Sequence, residues 1–158
     1  MKLILASSSS YRRELLQRLG IPFEVVAPDV DETPAPGEAP QALVERLAVA
    51  KARAVARQHA NALVIGSDQV AVYDGKIVGK PLTHDRAVEQ LRSASGKVVT
   101  LYTGLALIHG ASGRIQSEVV PFRVVFRVLS DAQIENYLRK EQPYHCARLF
   151  GVVVQVVR

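Results

Sequence analysis

Apolar residues 3–5 (Leu-Ile-Leu) run into four serines, after which Leu15, Leu16 and Leu19 recur at helical spacing. This pattern predicts a short buried strand over 3–5, a polar turn over 7–9 and an amphipathic helix. Ser9 or Ser10 would cap that helix by accepting a bond from a first-turn N–H, and Gly20 would stop it. Residues 22–26 (Pro-Phe-Glu-Val-Val) read as a second strand, and residues 27–40 as a loop rich in proline and acid. Pro40 suits the first turn of a long helix over about 41–59. Leu43, Leu47, Ala50 and Ala54 mark its buried face, with Lys51, Arg53 and Arg57 as solvated charges.

The apolar run 63–66 predicts a central strand. Ser67-Asp68-Gln69 follow it, then a β-rich run over 70–73 and Asp74-Gly75, a strong hairpin signal. The return strand carries Lys76 to Pro81 and places Lys80 near the Asp68 end of the hairpin. Thr83 caps a helix to about residue 93, ended by Ser95-Gly96. Residues 98–108 and 116–128 read as strands joined by a turn at 110–113, with Pro121 marking an edge or a bulge. Ser130-Asp-Ala-Gln133 is a capping box that opens a helix with Ile134, Tyr137 and Leu138 inward. Strands and helices alternate, with hairpins mixed in, and no repeat or linker interrupts the 158 residues. The expectation is a single domain of the α/β class, a mixed β-sheet flanked by helices.

Charge narrows the partners. The net charge is +5, which favours anionic ligands. Aromatic residues are few and no basic block occurs, so a nucleic-acid surface has no support. No apolar run is long enough to span a membrane. The single cysteine, Cys146, excludes an internal disulfide and fits a reducing cytoplasm; a small buried hydrophobe is its simplest role.

The N-terminal strand, serine turn and helix form a recipe for holding an anion: free N–H groups and the positive end of the helix dipole converge there. Arg12 and Arg13 add charge and forked donors. The glycine-rich Walker pattern is absent. Two acidic loci, Asp31/Glu32 and Asp68, supply the oxygen ligands that suit Mg²⁺ or Mn²⁺ shared with substrate phosphates. An acid ending an apolar run is costly to bury unless paired or metal-bound, so Asp68 is singled out over a plain polar turn residue. Basic residues Arg12, Arg13, Lys51 and Lys80 could take up phosphate charge. No paired Cys or His ligands suggest zinc. The four histidines (His59, His84, His109, His145) read as surface residues, and no Gly-x-Ser-x-Gly elbow occurs. The coherent chemistry is metal-assisted attack of water on a phosphate.

The segments Ala6-Ser-Ser-Ser-Ser-Tyr-Arg-Arg-Glu-Leu-Leu, Asp31-Glu32-Thr33, Lys51-Ala52, Gly66-Ser-Asp-Gln and Gly79-Lys-Pro resemble, in order and spacing, the Maf family of nucleoside triphosphate pyrophosphatases. The resemblance runs from Met1 to about Ala147. It implies a Maf/ITPase-like fold with a central nucleotide cleft, cleavage between the α- and β-phosphates, a divalent metal cation (Mg²⁺ or Mn²⁺) and a homodimer. By position it implies that Asp68 is the proton acceptor or metal-side carboxylate and that Glu32 helps hold the metal. Ser7, Arg12, Arg13, Lys51 and Lys80 match phosphate-handling positions. Tyr11, Gln69 and Pro143-Tyr-His-Cys-Ala resemble the branch that acts on 7-methyl-GTP; the other branch, acting on dTTP and UTP, has Arg and Thr at the first two positions. An aromatic face at Tyr11 would attract the cationic methylated purine; simple packing on the first helix would also account for it. Ser10 stands where the family usually has Pro. After Ala147 the chain departs from the family, and residues 148–158 read as a shortened or frameshifted end without the family's last strand and helix. That departure keeps open a weakly active or inactive nucleotide-binding, division-associated protein.

Overall fold

The computed structural model describes residues 1–144. Its elements are β1 (Lys2–Ala6), α1 (Ser10–Gln17), β2 (Glu24–Val26), α2 (Pro40–Ala56), β3 (Ala62–Tyr73), β4 (Lys76–Val78), α3 (His84–Ala94), β5 (Val98–His109), β6 (Ile115–Val125) and α4 (Asp131–Glu141). The strands form one six-stranded mixed sheet in the order β2-β1-β3-β5-β6, with β4 paired to β3. β1 lies between two parallel neighbours: Ala6 pairs with Val26 of β2 and with Gly66 of β3. A parallel strand flanked on both sides is buried on both faces, so Ile4, Leu5 and Ala6 are all buried. β6 ends the sheet, which is where Pro121 can be tolerated. Expectations for Cys146, His145 and the residue 148–158 tail lie outside the described residues.

The chain divides into two compact units. The first comprises Met1–Asp68 and Thr103–Val120; the second comprises Gln69–Tyr102 and the chain from Pro121 on. β3, β5 and β6 each contribute residues to both units.

In the first unit, α2 packs on the sheet through small residues. Ala48, Ala52 and Ala56 are buried with Ile4, Ala6, Val64 and Ile108. A Cβ on Gly66 would overlap the Ala48 carbonyl oxygen and come within 2.7 Å of the Ala52 nitrogen. At Gly104 it would overlap the Val44 carbonyl in the same way. The helix backbone therefore lies directly against glycine backbone, and side chains on the facing stripe of α2 are brought close to β3.

The second unit has its own core: Leu91, Val99, Leu101, Val124, Phe126, Ile134 and Leu138 among others. Thr83 caps α3, and the capping box at Ser130 and Gln133 opens α4, both as the sequence predicts. Asp74 and Gly75 turn the β3–β4 hairpin, with Tyr73 opposite Lys76 and both turn residues at positive φ.

Three burial assignments change. α1 buries none of its residues; Leu15 is exposed, and Leu19 lies beyond the helix end and is exposed too. On α2, Val44, Ala48, Ala52 and Val55 join Leu43 and Leu47 in the core, while Ala50 and Ala54 are only half-buried. The predicted stripe was rotated because alanines are apolar enough to fit either face. Finally, His84 is not a plain surface residue. It is half-buried between Tyr144 and Glu135.

Candidate active site

Ser9 occupies the N-cap position of α1, its hydroxyl accepting the Arg12 N–H at 3.3 Å. Ser7, 3% exposed, accepts the Ser9 N–H through its own hydroxyl at 3.1 Å and donates its backbone N–H to Val26. The serine turn is thus locked from within, at the C-terminal end of β1 and the N-terminal end of α1. Such an end gathers unpaired N–H groups and positive potential. Arg12, one turn in, is half-buried; Arg13 is exposed. Burial pulls the Arg12 pKa below its ordinary value, while Asp68 first and Glu32 second push it up. The guanidinium therefore lies within the field of both carboxylates.

Asp68 lies inside β3, not in a turn after it. The strand runs unbroken from Ala62 to Tyr73, because the polar residues 67–69 keep the extended backbone of the apolar runs around them. Its carboxylate, 13% exposed, accepts a bond from Lys51 Nζ at 2.7 Å. Lys51 is not a solvated helix charge: it is buried, with 9% of its side chain exposed, and it also pairs with Glu32. The signal was present in the sequence. Leu43, Leu47, Lys51 and Val55 recur every four residues, so the lysine falls on the stripe that α2 buries. The contact between Gly66 and Ala48/Ala52 then sets the ammonium against the acid two residues further along β3.

Glu32 arrives on a loop that is tied down on both sides. Asp31 Oδ1 accepts the Thr33 N–H at 2.9 Å and the Thr33 hydroxyl at 2.6 Å. These bonds hold the Asp31 carboxyl below its ordinary range. Arg46 of α2 forks onto Glu38 with bonds of 2.6 and 2.9 Å and also donates to the Thr33 carbonyl. Glu38 in turn accepts the Ala35 N–H. Bonded chiefly to Arg46 and then to Ala35, the Glu38 carboxyl is lowered to about 2. Arg46, which braces the loop that carries Glu32, is not marked in the sequence. Its partner Glu38 lies eight residues back, in the loop just before α2, and no local motif marks the pair.

The structure brings Glu32, Lys51 and Asp68 into direct contact, with Arg12 close enough to feel both acids. Ser7, Tyr11 and Arg13 belong to the same unit, Tyr11 half-buried on α1. Gln69 and Lys80 belong to the second unit, Gln69 half-buried on β3 and Lys80 exposed after β4. Among the described residues no group of three or more His, Cys, Asp and Glu side chains could hold a metal by itself. Two carboxylates are what Mg²⁺ or Mn²⁺ ordinarily takes from a protein, completing its shell with water and phosphate oxygens. The donor set of Glu32 and Asp68 is therefore compatible with such an ion. Among the described residues no helix is long and apolar enough to cross a membrane.

A family profile described as Maf-like protein matches residues 2–154. A 7-methyl-GTP pyrophosphatase from Nitrosococcus oceani is 60% identical over 148 residues, 94% of this chain and 74% of its own length. One of the same name from Nitrosospira multiformis is 60% identical over 146 residues, 92% of this chain and 74% of its own.

Proposed function

Because the chain belongs to the Maf family, we propose that it is a nucleoside triphosphate pyrophosphatase that hydrolyses 7-methyl-GTP to 7-methyl-GMP and pyrophosphate. The observation that carries this reading is the Glu32–Lys51–Asp68 cluster, built on a buried lysine with Arg12 beside it, set in a chain 60% identical to relatives that bear that activity as their name.

The roles follow from charge and position. The serine turn, with the N-terminal end of α1, receives phosphate oxygens through backbone N–H groups, with Ser7 holding the turn in shape. Arg12 and Lys51 face the charge that builds on the phosphates as the anhydride bond breaks; the family resemblance assigns phosphate handling to Arg13 and Lys80 as well. Asp68 takes the proton of the attacking water, and the departing pyrophosphate carries the electron pair of the broken bond. Glu32 and Asp68 would hold a Mg²⁺ or Mn²⁺ ion, which supplies Lewis-acid polarisation of the phosphate when bound. Tyr11 offers an aromatic face to the cationic 7-methylpurine, and the family resemblance assigns Gln69 a share in base selection. The lone cysteine supports a cytoplasmic setting, and the family resemblance supports a homodimer.

The test is pyrophosphate release from 7-methyl-GTP, GTP, dTTP, UTP and CTP with Mg²⁺ or Mn²⁺. The expected result is preferential release from 7-methyl-GTP, lowered by roughly 10²-fold or more in Asp68→Asn. Turnover of no member of the panel by a folded sample would leave a nucleotide-binding protein without this activity.

A further inference from the structure

The four charges of the cluster cancel. Glu32 and Asp68 are anionic, and Lys51 and Arg12 are cationic. Carboxylates already matched by cations have little net attraction for a free divalent cation, the more so because Arg46 also acts on Asp68, and here an ammonium already touches the oxygens such a cation would take. We propose that Lys51 is a built-in placeholder: in the free protein its ammonium occupies the position between Glu32 and Asp68 that a divalent cation takes, so ammonium and metal exclude one another. The inference deepens the pyrophosphatase reading and rests on it for the identity of the metal's oxygen ligands.

Three features of the chain support the exchange. The Lys51 stem lies on the buried stripe of α2, so the packing that anchors it does not depend on where the ammonium points. Lysine is a flexible point charge with three donors, and its ammonium can turn from carboxylate to phosphate by rotating its last bonds, which the planar fork of arginine does less readily. Among the described residues no third acid, histidine or cysteine joins the two carboxylates in a metal-holding group, so the metal's other positions fall to water and substrate phosphate. Those same phosphates give Lys51 its second partner. In the absence of substrate the ammonium also serves the fold, because two adjoining carboxylates repel each other less with an ammonium bonded to both.

The experiment is calorimetric titration of Mn²⁺ into the nucleotide-free full chain and three variants. Lys51→Met removes the charge and keeps the apolar stem. Lys51→Gln keeps an amide donor toward the carboxylates, so at least one neutral variant retains a partner for them if the other fails to fold. Both neutral variants are expected to bind Mn²⁺ about tenfold tighter than the parent, the size of a moderate coupling between sites. Arg53→Gln removes one positive charge from the exposed face of the same helix and is expected to leave Mn²⁺ affinity unchanged, because screening removes distant charges from the balance. Adding Asp68→Asn to Lys51→Gln should abolish the gain. Equal or weaker Mn²⁺ binding by the folded neutral variants would overturn the placeholder. So would an equal gain in Arg53→Gln, or a gain that survives Asp68→Asn. Pyrophosphate release is scored separately: a chain that shows the Mn²⁺ pattern without hydrolysing any triphosphate refutes the activity and supports the exchange.

Discussion

At the scale of single residues, Lys51 and Tyr11 show how differently two side chains can be read. Lys51 carries a structural signature: burial, a 2.7 Å bond to Asp68 and a second carboxylate partner. Tyr11 carries a chemical argument, that an aromatic face prefers a flat cation to a neutral pyrimidine, whereas an arginine in its place would repel that cation. The double substitution Tyr11→Arg with Gln69→Thr is therefore expected to shift the ratio of kcat/KM for 7-methyl-GTP over UTP toward UTP by about tenfold or more. The scale follows from a cation–π contact of roughly 1–2 kcal/mol, where about 1.4 kcal/mol is a factor of ten. A steady-state comparison of the two substrates decides it, and an unchanged ratio would remove both residues from base selection.

At the scale of elements, α2 fixes the site because nothing larger than hydrogen stands between it and β3 at Gly66. Gly66→Ala would drive a methyl group into the Ala48 carbonyl and the Ala52 backbone, neither of which can rotate away. The expected cost is about 1–3 kcal/mol, the range for overpacking a tight core. Catalysis should fall as well, because moving α2 off β3 moves Lys51 off Asp68. Thermal melts and pyrophosphate release measured together check this, and a stable, fully active variant would show that the helix can shift freely. A second element-scale device holds α3 to α4. His84, the first residue of α3, donates through Nε2 to the Glu135 carboxylate at 2.8 and 2.9 Å, and its Nδ1 lies 2.7 Å from the Tyr144 hydroxyl. The Leu82 N–H donates to the Tyr144 carbonyl beside it. His84→Ala should raise hydrogen-exchange rates at α4 amides while leaving those of β1 unchanged; equal change in both would mean general destabilisation.

The same two elements show what was legible in the sequence. Caps and turns were, because Ser9, Thr83, Ser130 with Gln133, and Asp74-Gly75 act on neighbours within a few residues. The strand order and parallel pairing were not, since they depend on which distant edges meet. In the site, the segments carrying Glu32 and Asp68 were marked by an acidic loop and by an acid beside an apolar run. The contact between them was hidden: it needs Lys51 on the buried face, and a stripe rich in alanine leaves the rotation of α2 undecided until it meets Gly66. His84 escaped for the same reason, its partners lying 51 and 60 residues away.

At the scale of the whole molecule, these fixed contacts predict how the protein fails in acid. Among the described residues, the carboxyls of Asp31, Glu38 and Glu135 are held below their ordinary values, mainly by Thr33, by Arg46 and by His84 respectively. A carboxyl with a depressed folded-state pKa favours the folded state above its unfolded value and loses that contribution as pH falls through the folded one. For Glu38 the window runs from 4.5 down to about 2. The two units are affected together, because Asp31 and Glu38 brace the loop of the first and Glu135 joins the helices of the second. Protonation also adds positive charge to a chain already at +5, so self-repulsion pushes in the same direction. The melting temperature should therefore decline as pH is lowered from 4.5 toward 2. Glu38→Gln should melt lower than the parent at neutral pH and approach it as the pH falls, since the parent loses the Arg46 fork there and the variant has none to lose. Circular-dichroism melts at closely spaced pH values read both slopes. Parallel curves would mean that the fork between α2 and its loop adds nothing to folding, and the ordering of Glu32 would then rest on contacts other than that fork, the Asp31–Thr33 turn and the Lys51 pair among them.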